Sequence, residues 1–222
     1  MDKKEETVLD ISSELTISRD SKPDYDFPFT ETDALHVVDE EGVKIPFKEI
    51  YEHQKTIVVF IRHFLCFMAK EYVDDFARVP KSFLEEAGVR LVVIGCGEHK
   101  FIKPFRRTTG FNHDLFVDPE RNIYKALGLK DKMRQQPGKK SRHVKSGAIM
   151  GVIESTLRGL QFCEFQGDMH QLGGAFILGP GKDCSFHHIE LYQADHVAIN
   201  DLLAMSDVQQ VNYPNDTRVM TL

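Results

Sequence analysis

The stretch Thr56 to Gly88 constrains the fold more than any other part of the chain. It opens with Ile57 to Ile61, a continuous apolar run rich in β-branched residues. Such a run fits a strand buried on both faces, as in a parallel sheet. Beyond it, Leu65, Ala69, Tyr72, Val73, Phe76, Val79, Phe83, Leu84 and Ala87 recur at helical spacing. Pro80 kinks or splits that helix, and Gly88 closes it as a C-cap. Cys66 therefore falls where a buried strand turns into the first turn of a helix. A helix N-terminus carries partial positive charge and favours a thiolate over a thiol. The strand–Cys–helix unit is the candidate reactive centre.

The 222 residues suffice for one α/β domain with a proper core. Apolar content of 41% and charged content of 28% fit a soluble globular chain. A net charge of -6 argues against nucleic acid as a partner. No apolar run reaches the roughly 18 residues that span a bilayer. The start, MDKKEETVLDISSEL, lacks a signal-peptide core and is too acidic for a transit peptide. Four scattered cysteines do not make a disulfide scaffold. The expectation is a cytoplasmic protein with free thiols and no membrane span.

Residues 1–27 hold eight acids against four Lys/Arg and read as a polar tail, followed by a domain over 28–207 and a tail over 208–222. Ala34 to Phe47 reads as a small hairpin around Gly42, and Arg90 to Gly95 as a second buried strand ending at Cys96. A short helix follows from His99 to Thr108, then a strand at Leu115 to Val117. Asp118 and Pro119 predict an N-cap and first helical residue for a helix over 120–127. This β-α-β-α-β-α order predicts a parallel sheet. The segment 130–145 carries seven Lys/Arg and one acid and reads as a basic loop. It could attract an anionic substrate or acidic partner, or be a solvated insertion. Ala148 to Leu160 could form an amphipathic helix. The stretches 173–179 and 184–189 flank the turn Pro180 to Asp183 and predict a β-hairpin, and Asp195 is expected to cap a last helix running to Met205.

The stretches VVFIRHFLCFMAKEYV, RLVVIGCG, DLFVDPERNIYKALGL and GGAFILGPGKDCSF span about residues 34 to 205. Together they resemble the thioredoxin superfamily, and within it the alkyl hydroperoxide reductase/thiol-specific antioxidant branch. The likeness is nearest to the peroxiredoxin-like 2 group, in which an R-x-x-x-C junction precedes an acidic helix; Arg62, Cys66 and Glu71 match it. The resemblance implies an α/β, thioredoxin-like fold: a central mixed sheet with a parallel βαβ half and a C-terminal β-hairpin, flanked by helices. It implies a thiol-dependent antioxidant oxidoreductase that reduces a peroxide, a lipid hydroperoxide or endoperoxide included. Its partners would be that peroxide and a thiol reductant, glutathione or thioredoxin; a homodimer is left open. No metal or organic cofactor is implied. The chain departs from the family pattern where peroxiredoxins carry Pro and Thr, which here are Val59 and His63. Ala69 stands where a second Cys would complete C-x-x-C, and Gly173-Gly174 precede Ala175 where a cis-Pro is usual.

The candidate site residues are Cys66 as nucleophile, Arg62 and His63 as the groups that tune it, and Cys96 as a resolving thiol. Each has a plainer alternative: an inert buried Cys66, a solvated Arg62, a packing His63, a Cys96 that fills a turn. Cys163 and Cys184 have no partner spacing and read as packing residues. Asp168-x-His170 and His187-His188 only loosely suggest metal ligands, and neighbouring strand residues point to opposite faces. Against the enzyme stands a second class, a non-catalytic binding or regulatory module on the same fold.

Overall fold

In the computed structural model, which describes residues 25–130 and 167–213, the apolar run forms an interior strand of a seven-stranded sheet. In chain order the elements are α1 (Phe29–Thr32), β1 (His36–Val38), β2 (Lys44–Pro46), a 3-10 turn (Phe47–Ile50), β3 (Lys55–Phe60), α2 (Phe67–Phe76), α3 (Lys81–Ala87) and β4 (Val89–Gly95). There follow a 3-10 turn (His99–Phe101), α4 (Ile102–Thr109), β5 (Asp114–Val117), α5 (Asn122–Ala126), β6 (Gly174–Leu178), β7 (Cys184–Ile189) and α6 (Ile199–Met205). The strand order is β2-β1-β5-β4-β3-β6-β7. Strands β3, β4 and β5 run parallel, with Ile57 opposite Leu91 and Val93 opposite Leu115. β6 and β7 return antiparallel on the other side of β3, and β1 and β2 close the far edge. The mixed α/β sheet is the one expected.

Strand alternation divides the core into two layers. Ile57, Val59 and Ile61 face one side together with Leu91, Val93, Ala175 and Ile177. Against them pack Ala69, Tyr72, Val73 and Phe76 of α2, with α3, α4 and α6. Each large apolar side chain buried there contributes about 2 kcal/mol. Val58, Phe60, Val92, Ile94 and Phe176 face the other way onto Phe47, Ile50, Tyr51, Ile123 and Tyr124. Pro80 splits the long helical pattern, because α2 ends at Phe76 and Pro80 is the residue before α3. Gly88 ends α3 in the left-handed conformation at φ 65, as the sequence predicts.

Several boundaries differ from expectation. The acidic segment is not all tail: Phe27 is buried, and the Tyr25 ring stacks on His187 with centroids 4.4 Å apart. The C-terminal limit also moves outward, since Val208 is buried and the Tyr213 hydroxyl donates to the Asp75 carbonyl at 3.1 Å. Asp118 does cap α5, though from further back. Its carboxylate accepts the backbone N–H of Asn122, Ile123 and Tyr124, while Arg121 turns the chain at φ 58. Pro119 thus lies in the preceding turn and not in the helix. α6 begins at Ile199, after Ala198; Asp195 instead accepts the Leu191 N–H at 2.9 Å. The basic segment from 131 onward, the helix expected over 148–160 and Cys163 lie outside the described residues. Among the described residues, no helix is long and apolar enough to cross a membrane.

Candidate active site

β3 hands the chain to a buried stretch, Ile61 to Phe64, that leads into the helix. The Cys66 N–H donates to the His63 carbonyl at 3.0 Å, and the Lys70 N–H donates to the Cys66 carbonyl at 3.0 Å. Cys66 itself is extended, at φ -72 and ψ 117, immediately before α2. It occupies the strand–helix junction that the spacing predicts, 4% exposed.

Arg62 is the decisive neighbour. Its guanidinium is buried, and Nη1 donates to Cys66 Sγ at 3.1 Å. Nε donates to the Gln171 carbonyl at 3.1 Å and Nη2 to the Met169 carbonyl at 2.7 Å. Among the described residues no carboxylate comes within ion-pair distance of Arg62. A buried cation without a counter-charge is costly. A thiolate at Cys66 would supply that charge, with a charge-assisted hydrogen bond.

His63 is buried as well, and its Nδ1 has no hydrogen-bond partner. Burial, reinforced by the Arg62 charge, pushes its pKa down to about 3. It is a neutral imidazole at pH 7, standing where the family carries Thr.

Cys96 lies on the other layer of the core from Cys66, and both are free thiols. It is fully buried, and burial pushes its thiol up to about 11. The loop thus brings the Arg62 guanidinium to Cys66 Sγ, while His63 meets Cys66 through its backbone carbonyl and Cys96 takes the opposite core layer. Cys184 is half-buried, and burial likewise pushes it up to about 11.

Sequence reasoning missed the strap, residues 167–173, that covers this site. Gln171 fastens it by donating from Nε2 to the Lys130 carbonyl at 3.1 Å and the Leu172 carbonyl at 2.9 Å. Asp168 accepts the His170 N–H at 2.8 Å and pairs with Arg121 at 2.6 Å. The Asp168-x-His170 spacing is therefore a turn closed by a side chain, and it holds the Asp168 carboxyl below its usual range. A Cβ on Gly167 would meet Cys96 Sγ and His63 Cβ at 2.9 Å, and one on Gly173 would meet the Phe60 carbonyl oxygen at 2.0 Å. Only glycine lets the strap lie this close. The one signal in the sequence was the pair Gly173-Gly174. His187 and His188 have separate partners, Tyr25 and Asp195. Among the described residues no three His, Cys, Asp or Glu side chains are grouped to hold a metal.

A cysteine ahead of the first long helix, on a mixed sheet with a terminal antiparallel hairpin, defines a thioredoxin-like protein of peroxiredoxin type. The chain belongs to the AhpC/TSA antioxidant enzyme family, whose model matches residues 76–191. That match begins after Cys66. "Peroxiredoxin-like 2C" of Homo sapiens is 42% identical over 203 residues, 90% of each chain. "Prostamide/prostaglandin F synthase" of Xenopus tropicalis is 27% identical, over 73% of this chain and 79% of its own. In fold, the chain is similar to reduced Prx3 from Vibrio vulnificus, with a TM-score of 0.54 at 14% identity, covering 78% of this chain and 93% of that one.

Proposed function

We propose that the protein reduces a peroxide through Cys66 alone. The thiolate sulfur bonds to one peroxide oxygen as the O–O bond breaks, giving a sulfenic acid and an alcohol or water. A thiol then condenses with the sulfenic acid, releasing water, and a second thiol returns Cys66 to the reduced state. Glutathione or thioredoxin is the reductant in this reading, because Cys96 faces the other core layer. The single observation that carries it is the buried Arg62 guanidinium, which donates to Cys66 Sγ and has no carboxylate partner among the described residues. Phe64 and Met68 line the same layer as Cys66, and Met169 of the strap is exposed. These apolar neighbours, and the name of the amphibian relative, favour a lipid hydroperoxide or endoperoxide as substrate.

A second reading, a non-catalytic binding module, has the 4% exposure of Cys66 in its favour. Intact-mass spectrometry separates the two. Wild type and Cys66→Ser are exposed to hydrogen peroxide and to a lipid hydroperoxide. Rapid gain of one oxygen in wild type alone is expected. A wild type that reacts no faster than free cysteine removes the peroxidase reading and leaves the module.

A further inference from the structure

Two arginines grip the strap. Arg62 holds its main chain, through the Gln171 carbonyl at 3.1 Å and the Met169 carbonyl at 2.7 Å. Arg121, in the turn that opens α5, holds its side chains. Arg121 Nη1 donates to Asp168 Oδ2 at 2.6 Å and to Gln171 Oε1 at 3.5 Å. Asp168 and Gln171 flank Met169 and His170, so Arg121 fixes the strap on both sides of the carbonyl that Arg62 Nη2 binds. Gln171, 2% exposed, is held by both arginines at once: its carbonyl by Arg62, its amide oxygen by Arg121.

The backbone of Arg121 is unusual. It sits in the left-handed region at φ 58, and among the described residues Asp207 is the only other non-glycine with a positive φ. Glycine or asparagine would occupy that turn with less strain. Neither has a side chain that reaches the strap as arginine does. The turn is also anchored to the sheet. The Arg121 N–H donates to the Asp118 carbonyl at 3.1 Å, and the Asp118 N–H donates to the carbonyl of Gly95, the last residue of β4, at 2.8 Å. Both side chains of the Arg121–Asp168 pair are 27% exposed. An ion pair open to solvent adds little to stability. Its consequence is where the strap lies. The Arg62 guanidinium is planar, so a shift of either strap carbonyl turns Nη1 away from Cys66 Sγ, and a hydrogen bond weakens steeply as its angle closes.

Resting on the peroxidase reading, in which Cys66 reacts as a thiolate, we infer that Arg121 is a positioning residue for Cys66, acting through Asp168, Gln171 and Arg62. Each link is a hydrogen bond: Arg121 to the two strap side chains, the strap carbonyls to Arg62, and Arg62 Nη1 to the sulfur at 3.1 Å. Arg121 neither gains nor loses a proton in the reaction, because its guanidinium stays charged. It keeps the strap where Arg62 can stabilise the thiolate.

The test follows iodoacetamide alkylation of Cys66 by peptide mass mapping, across pH, on full-length wild type, Arg121→Asn, Arg121→Lys and Asp168→Asn. Asparagine suits the left-handed turn, so Arg121→Asn relieves the backbone as it removes the grip, and its thermal midpoint should change little. Its alkylation profile should move up by about half a pH unit, about threefold in rate on the rising limb. Arg121→Lys keeps the charge opposite Asp168 and should restore most of that rate. Asp168→Asn retains the turn to His170 through its amide oxygen but loses the charge. By field alone, removing an anion favours a thiolate and removing a cation disfavours it, so the two neutralising variants would change the rate in opposite directions. Through the strap, both slow it. Opposite changes, or a wild-type profile in Arg121→Asn, overturn the positioning role. Alkylation needs no peroxide, so a wild type no faster than free cysteine toward hydrogen peroxide overturns the peroxidase reading separately.

Discussion

Arg62 Nη1 lies 3.1 Å from Cys66 Sγ, one turn along the same loop, while the rest of that guanidinium reaches carbonyls 107 and 109 residues away. One side chain thus joins the local strand–helix junction to the distant strap. The three bonds are geometrically coupled, because a planar guanidinium presents its donors in a fixed fork. Where the strap sits therefore decides whether a donor points at the sulfur.

Removing that donor should slow the thiol. In Arg62→Met, Cys66 alkylation by iodoacetamide at pH 7 is expected to fall about tenfold, equivalent to about 1.4 kcal/mol. Two strap carbonyls also lose their donor, at about 1–3 kcal/mol each, so the urea midpoint should drop. Arg62→Lys keeps the charge but cannot satisfy three acceptors in one plane, and should fall between. Alkylation at the wild-type rate in Arg62→Met would mean that the guanidinium is a strap clamp only.

His63 makes stability depend on pH. Its folded pKa of about 3 lies below the ordinary 6.5, so below 6.5 the unfolded chain binds a proton that the folded state refuses. Above 6.5 the group is neutral in both states and contributes no pH dependence. As pH falls from 6.5 toward 3, folding stability is lost at up to about 1.4 kcal/mol per unit. His63→Gln removes this titration, and its stability curve from urea melts should be flatter across that window. His113 and His187, also pushed down by burial, contribute equally to both proteins. Parallel curves for wild type and variant would show that His63 takes up its proton in the folded state.

The order of the elements was legible because the code for it is local. β-Branched runs gave β3 and β4, and Pro80 and Gly88 marked the helix ends. The Cys66 junction followed from the same pattern. What escaped was long-range or carried by unusual backbone. Tyr25 and Phe27 lie in an acidic stretch, yet they pack on Phe176 of β6, a partner no local window contains. Asp118 was recognised as a cap, but Arg121 in a left-handed turn lets it reach N–H groups four to six residues on. The strap has no periodicity of its own, and only the sheet brings it onto Arg62. Cys96 was placed at the right sheet edge, but alternation along β4 turns it to the other layer, as with Val92 and Ile94.

That alternation sets the expectation for Cys96. A resolving thiol must reach the oxidised sulfur as a thiolate. Cys96 is on the far layer, under Gly167, and burial pushes its thiol up to about 11, so very little is ionised at pH 7. Cys96→Ala should therefore leave Cys66 oxidation, and its reduction by added glutathione, within about twofold of wild type. It should cost stability, about 1 kcal/mol for the vacated core volume. Intact mass of oxidised wild type should show added oxygen or a glutathione adduct without loss of two hydrogens. A two-hydrogen loss that disappears in both Cys66→Ser and Cys96→Ala would show instead that the strap and the Cys66 loop open far enough to bring the two sulfurs together across the sheet edge.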